Sequence, residues 1–174
     1  MHPAAGGTEV ARREDTTMAD IETLGLGLTW ESLPVGRRFK TVGRTVTEAD
    51  IVNFVGCTGM LEVLFTNVDY LKDSSVIRGR VAPAALVYAF AEGLLVQSVM
   101  QGVGLAFLGM ELEVKGPTFA GDTVHVECEV IECRPSESRP GLGLVRTRNR
   151  VVKQDGAVVL VYTPLRLLKG RAQG

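Results

Sequence analysis

Glu62 is the side chain best placed for proton transfer, because it lies within Met60-Leu61-Glu62-Val63-Leu64-Phe65, whose apolar residues would strip water from a carboxylate. A carboxyl group desolvated in this way serves as base or acid. The alternatives are an ion pair with Arg78 or Arg80, or a solvated place in a loop. Asn67 offers an amide to orient a water or a carbonyl, or else satisfies its own backbone in a turn. Asp69 would cap a short helical turn, and Tyr70 is expected in the core. Cys57 has no neighbouring His to make it a nucleophile and reads as a small buried residue.

Those residues have to be positioned by the elements around them. A chain of 174 residues, 45% hydrophobic and 22% charged, fits one globular domain. Residues 1–29 read as a flexible tail, 30–170 as the domain and 171–174 as a C-terminal tail. Nineteen basic against twenty acidic residues leave no broad positive field, so no nucleic-acid partner is expected. No membrane span is expected either, since the apolar stretches are short or interrupted. Three cysteines without CxxC spacing and two histidines offer no metal site, and no glycine-rich fingerprint calls for a redox cofactor. Structural thiols and the lack of a leader fit a cytoplasmic protein.

A strand is expected over 38–46 and a helix from Thr47-Glu48-Ala49-Asp50 to about Cys57, stopped by Thr58-Gly59. An irregular segment follows over 60–80. The nearly uncharged stretch 82–100, with Pro83 in its first turn and Glu92 as its one ionisable group, reads as a buried central helix. Strands are expected over 105–115, 123–133, 142–154 and 157–168. Asp155-Gly156 marks a tight hairpin, and the connection 134–143 a longer one. Val124, Val126, Cys128 and Val130 share the face opposite His125, Glu127 and Glu129. A hairpin centred near Ser138 places Glu127 opposite Arg150 and Glu129 opposite Arg148. The layout is α+β, a single hot-dog domain whose antiparallel sheet wraps one long central helix. Its open edge predicts at least a homodimer.

Residues 43–54, reading Gly-Arg-Thr-Val-Thr-Glu-Ala-Asp-Ile-Val-Asn-Phe, and then Gly56-Cys57-Thr58-Gly59 resemble the start of a MaoC-like domain. Arg80-Val81-Ala82-Pro83, Gly116-Pro117, Gly121-Asp122-Thr123, Ser136 to Pro140 and Asn149 to Gly156 extend the resemblance over roughly 30–169. The family comprises acyl dehydratases and (R)-specific enoyl-CoA hydratases, lyases of fatty acid metabolism. It implies an acyl-CoA or similar thioester as substrate, with coenzyme A entering only as part of it and no separate cofactor.

Members typically continue with Asp-x-Asn-Pro-x-His, whose Asp and His activate water for addition across an enoyl thioester. Here Met60 and Phe65 occupy those two positions, and neither side chain can exchange a proton. Both are expected to line the pocket. His2 lies in the tail and His125 mid-strand, so Glu62 is the nearest replacement and Asn67 a weaker one. Ala84 would offer its backbone N–H at the start of the central helix to the thioester oxygen, unless water or the preceding loop takes it. Arg78, Arg80, Lys115 and Arg139 are cations for the phosphates of coenzyme A.

Three functions follow: a variant hydratase or dehydratase, a non-catalytic thioester-binding subunit partnered by an active paralogue, and a hot-dog thioesterase. The last would need Glu92, which lies about two turns into the helix.

Overall fold

The computed structural model describes residues 23–73 and 79–171. Thr47 opens helix α1 (Glu48–Thr58) through a capping box: the Asp50 N–H donates to Thr47 Oγ1 at 3.2 Å, and the Thr47 N–H donates to Asp50 Oδ2 at 2.8 Å. Gly59, at φ 72°, ends it in the left-handed conformation that a side chain would disfavour. The stretch expected to be irregular instead holds two short helices, α2 (Val63–Thr66) and α3 (Val68–Asp73). Each is started by a polar side chain that accepts a nearby backbone N–H, Glu62 for α2 and Asn67 for α3.

The central helix α4 (Ala84–Leu95) starts one residue after Pro83, which occupies the cap, and it continues into a π-helical turn at Val96–Met100. Leu86, Val87, Phe90, Ala91, Leu94 and Leu95 form its buried stripe. The helix was expected to be buried throughout; in fact Ala85, Ala89 and Gly93 lie exposed along the other side.

Strands β5 (Thr123–Pro135) and β6 (Leu142–Lys153) form the long hairpin at the middle of an eight-stranded antiparallel sheet. Glu127 pairs with Arg150 and Glu129 with Arg148, the register expected from charge, with ion pairs of 2.9 and 3.2 Å. A register shift between Val130 and Glu132 then brings Arg146 opposite Glu132. Val124, Val126, Cys128 and Val130 are buried, and the first three pack with α4, Val151, Leu160 and Tyr162 in the main core.

Three of the expected strands are broken in two. The first becomes β1 (Arg38–Lys40) and β2 (Arg44–Thr45), both against β5. The second becomes β3 (Gly104–Gly109) and β4 (Leu112–Val114), and the last becomes β7 (Val158–Tyr162) and β8 (Leu165–Lys169). Pro164 has no N–H for a ladder, so the chain changes partners there: β7 pairs with residues 149–152 of β6 and β8 with residues 142–146. The Thr163 N–H donates to the Glu111 carbonyl at 3.0 Å, so the two kinks meet. Strands β3 and β4 are paired on one side only, and they expose Leu105, Phe107, Leu108, Leu112 and Val114.

Of the two expected tails, residues 1–22 and 172–174 lie outside the described residues, and the described residues next to the domain are hydrogen-bonded to it. The Gly27 and Leu28 N–H groups donate to Gln101 and Val99 carbonyls at 2.7 and 2.8 Å, which ties the chain down before Trp30. A Cβ at Gly27 would stand 2.4 Å from the Val99 oxygen, so only glycine allows this approach. At the other end the Arg171 N–H donates to the Glu31 carboxylate at 3.2 Å.

Candidate functional site

A cavity of about 290 Å³ opens at the N-terminus of α4. Phe65 and Leu64 of α2 form one wall; Val81, Pro83, Ala84 and Val87 lie at the helix start; Val114, Thr118 and Leu160 come from the sheet side. Among the described residues no titratable side chain lines it. Pro83 fixes the local backbone and leaves the Ala84 and Ala85 N–H groups without a hydrogen-bond partner among the described residues, while the Leu86 N–H donates to the Pro83 carbonyl at 3.0 Å. Ala84, which lines the cavity, thus brings a free donor and the positive end of a twelve-residue helix to it. Such an arrangement favours an oxygen that gains negative charge.

Phe65 and Ala84 therefore meet in one cavity. Met60 does not join them, contrary to expectation: it is 37% exposed and outside the cavity lining. The left-handed Gly59 turns the chain outward, and the Leu61 N–H donates back to the Gly59 carbonyl at 2.8 Å. The expected burial of Glu62 is likewise corrected. Glu62 is exposed and caps α2, its Oε2 accepting the Leu64 N–H at 2.6 Å. The apolar neighbours that seemed to surround it in sequence point elsewhere, since a cap must stand outside the helix it starts.

Asn67 also caps a helix. Its Oδ1 accepts the N–H groups of Asp69 and Tyr70 at 3.0 and 3.2 Å, which is the turn-forming role rather than a hold on water. Asp69 is not the cap; it lies in the first turn of α3 and pairs with Lys72 at 2.9 Å. Cys57, expected to be buried, is exposed on α1.

Of the cations considered for phosphates, Arg78 lies outside the described residues. Arg80 is occupied: Nε pairs with Glu48 at 2.7 Å, and its guanidinium also donates to the Phe65 carbonyl. That double contact fixes the Phe65 wall to α1. Lys115 pairs with Glu113 and sits between the cavity residues Val114 and Gly116, whereas Arg139 is exposed in the β5–β6 connection. His125 lies on the sheet face opposite the core, 3.7 Å from Glu127.

A second polar cluster, which sequence reasoning missed, sits midway along α4. Arg166 donates to both carboxylate oxygens of Glu92 at 2.5 and 2.6 Å, and the Tyr162 hydroxyl donates to the same carboxylate at 2.9 Å. Burial, and then the Glu92 charge, push the Tyr162 hydroxyl well above the ordinary tyrosine range, so it remains a donor. Burial likewise pushes the Cys128 thiol up to about 12. Alternation along 165–169 places Arg166 on a face but says nothing of which acid it meets.

Among the described residues no helix is long and apolar enough to cross a membrane. The profile of the family described as "MaoC like domain" matches residues 31–153. The MaoC-like dehydratase from Rhodospirillum rubrum is 31% identical, with a TM-score of 0.75 over 84% of this chain and 100% of that one. The R-hydratase PhaJ1 from Pseudomonas aeruginosa is 22% identical, with a TM-score of 0.68 over 84% of this chain and 88% of that one. A Mycobacterium tuberculosis protein described as a double hotdog fold aligns over 85% of this chain and 46% of its own at 21% identity, with a TM-score of 0.76. No curated protein matches in sequence. The family match spans most of the chain, and the strand order, the central helix and these neighbours agree: this protein belongs to the MaoC-like family and has the hot-dog fold.

Proposed function

We propose that this chain is the acyl-thioester-binding member of a hydratase or dehydratase, holding the acyl group in the α4 cavity while lacking the proton-transfer pair of its family. The observation that carries this reading is the cavity itself: apolar walls, the Ala84 N–H with no partner among the described residues, and Phe65 at the position where the family's His would stand. The acyl chain packs against Phe65, Val87 and Leu160, and the thioester oxygen accepts from Ala84. Lys115, beside the cavity, is the cation nearest in sequence for a phosphate of coenzyme A.

The exposed apolar edge of β3 and β4 supports a partner hot-dog chain on that side. A second copy would bury the edge but add no proton carrier; a paralogue with Asp and His intact would supply one. Three unbridged cysteines suit a reducing cytoplasm.

Glu62 supports a second reading, a hydratase with a displaced carboxylate. Only Oε2 is engaged by the cap among the described residues, and Glu62 leads directly into Leu64 and Phe65 of the cavity wall. The thioesterase reading has no such support, because the Glu92 carboxylate is held by Arg166 and Tyr162.

Calorimetric titration with butyryl-CoA, beside an ultraviolet assay of trans-2-enoyl-CoA hydration, separates these readings. The expected result is saturable binding with no turnover by the chain alone. Turnover abolished by Glu62→Gln would establish the second reading instead, and absence of binding would remove the first.

A further inference from the structure

Arg150 and Arg148 match Glu127 and Glu129 one for one across the β5–β6 hairpin, but β1 brings two further cations to the same acids. Lys40 lies opposite Glu127 on the other side of β5, and Arg38 lies opposite Glu129. Beyond the register shift, Glu132 is held by both Arg134 at 3.0 Å and Arg146 at 3.1 Å. On this outer face three carboxylates therefore stand among six cations, Arg38, Lys40, Arg134, Arg146, Arg148 and Arg150. The chain totals, 19 basic and 20 acidic residues, nearly cancel, so a positive surplus is concentrated on one face and the remainder is net negative. Exposed pairs of this kind contribute little to stability, so the fold does not need a second cation on each acid. Arg38 is the least engaged, with a side chain 78% exposed and 3.9 Å from Glu129, and the exposed Lys40 has no ion pair among the described residues.

A groove of about 410 Å³ is lined by Arg38 and Lys40 from β1 and by Arg148 and Arg150 from β6, with Glu127 and Glu129 between them. The two cation rows lie two strand spacings apart, roughly 9.6 Å, and repeat about every 6.8 Å along the strands. An α-helix is about 10–12 Å across, and carboxylates four residues apart on it repeat about every 6 Å. Strands β5 and β6 are already paired on both sides, so an extended segment laid over them would leave its own N–H and C=O groups unpaired, whereas a helix satisfies them internally. In the row of Arg150 the next charge is Glu113, beyond Val161 and paired with Lys115. From the surplus charge and this spacing we infer that the outer face of β1, β5 and β6 docks an acidic helix of a partner protein. Nucleic acid and anionic lipid fit less well, because a phosphate chain or a membrane extends past the patch and meets the net-negative remainder of the chain. The face lies on the other side of the sheet from α4, so it is independent of the thioester cavity.

The probe is a fluorescein-labelled, end-capped, alanine-based peptide of about four helical turns with glutamate at every fourth position, followed by fluorescence anisotropy at about 50 mM salt. Wild type should bind it saturably, and the Arg38→Ser, Lys40→Ser double variant about fivefold more weakly, the worth of two exposed ion pairs. The charge-conserving Arg38→Lys, Lys40→Arg variant should bind like wild type, and equal melting temperatures for the three proteins would show that the fold is intact. The same peptide with lysine in place of glutamate should not bind. No binding of the glutamate peptide to wild type, or binding that the double variant leaves unchanged, overturns the assignment. So does tighter binding of a single-stranded oligothymidylate or of phosphatidylglycerol vesicles, which would make the face a phosphate site instead.

Discussion

The Met60→Asp, Phe65→His double variant is expected to hydrate trans-2-enoyl thioesters about a hundredfold or more faster than the wild-type chain, the lower end of what positioned acid–base groups contribute. The wild-type side chains at these positions cannot carry a proton, and Phe65 already lines the cavity beside the Ala84 donor. A His there would face the bound thioester, whereas an Asp at 60, exposed and outside the cavity lining, would act only through that His, as its hydrogen-bond partner. The two should act as a unit, so each single variant should gain far less than half of the logarithmic effect. Replacing the half-buried Phe65, which packs against the main core, is expected to lower stability by about 1–2 kcal/mol, visible in the melting temperature. If the double variant binds thioester and stays folded yet gains no rate, then the loop after Gly59 no longer presents these positions to the substrate.

Arg166→Ala is expected to cost about 3–5 kcal/mol of stability, or roughly 6–20 °C in melting temperature for a chain of this size. The partners are well shielded, with side-chain exposures of 9% for Arg166 and 20% for Glu92, and two strong contacts join them. Removing the guanidinium leaves the Glu92 charge inside the protein with Tyr162 as its one remaining donor among the described residues. The desolvation penalty then goes uncompensated, which is why loss of one partner is worse than loss of both. A Glu92→Leu, Arg166→Met double variant should recover most of the loss. Thermal and urea denaturation of the three variants measures this, and a loss under about 1 kcal/mol in Arg166→Ala would show that water reaches the pair.

Local chemistry was legible in the sequence wherever the deciding contacts are close along the chain or repeat with a fixed period. Thr47 and Asp50 lie three apart and close their own capping box, and Gly59 ends the helix by its own conformational freedom. Alternating valines and glutamates set both the buried face of β5 and its pairing with Arg148 and Arg150, since a slip of one residue would send every valine to the solvent side. Asp155-Gly156 closes the last hairpin, where the Ala157 N–H donates to Asp155 Oδ1 at 3.0 Å. The strand breaks were less legible: Pro164 was visible, but its consequence, a change of partner along β6, depends on a kink at Met110 and Glu111 fifty residues away.

For the site, the sequence by itself determined what the chain lacks, because side-chain chemistry is a property of the residue: Met60 and Phe65 cannot transfer protons wherever they lie. It also determined the sheet register and the start of the helix that offers Ala84. Tertiary structure alone decided which side chains share a space. It turned Glu62 out to cap α2, brought Phe65 and Thr118 into one cavity from segments fifty residues apart, and joined Glu92 to Arg166. Hydrogen-bonded turns and alternation act over a few residues and can be read locally, whereas burial and partnership depend on where the rest of the chain packs.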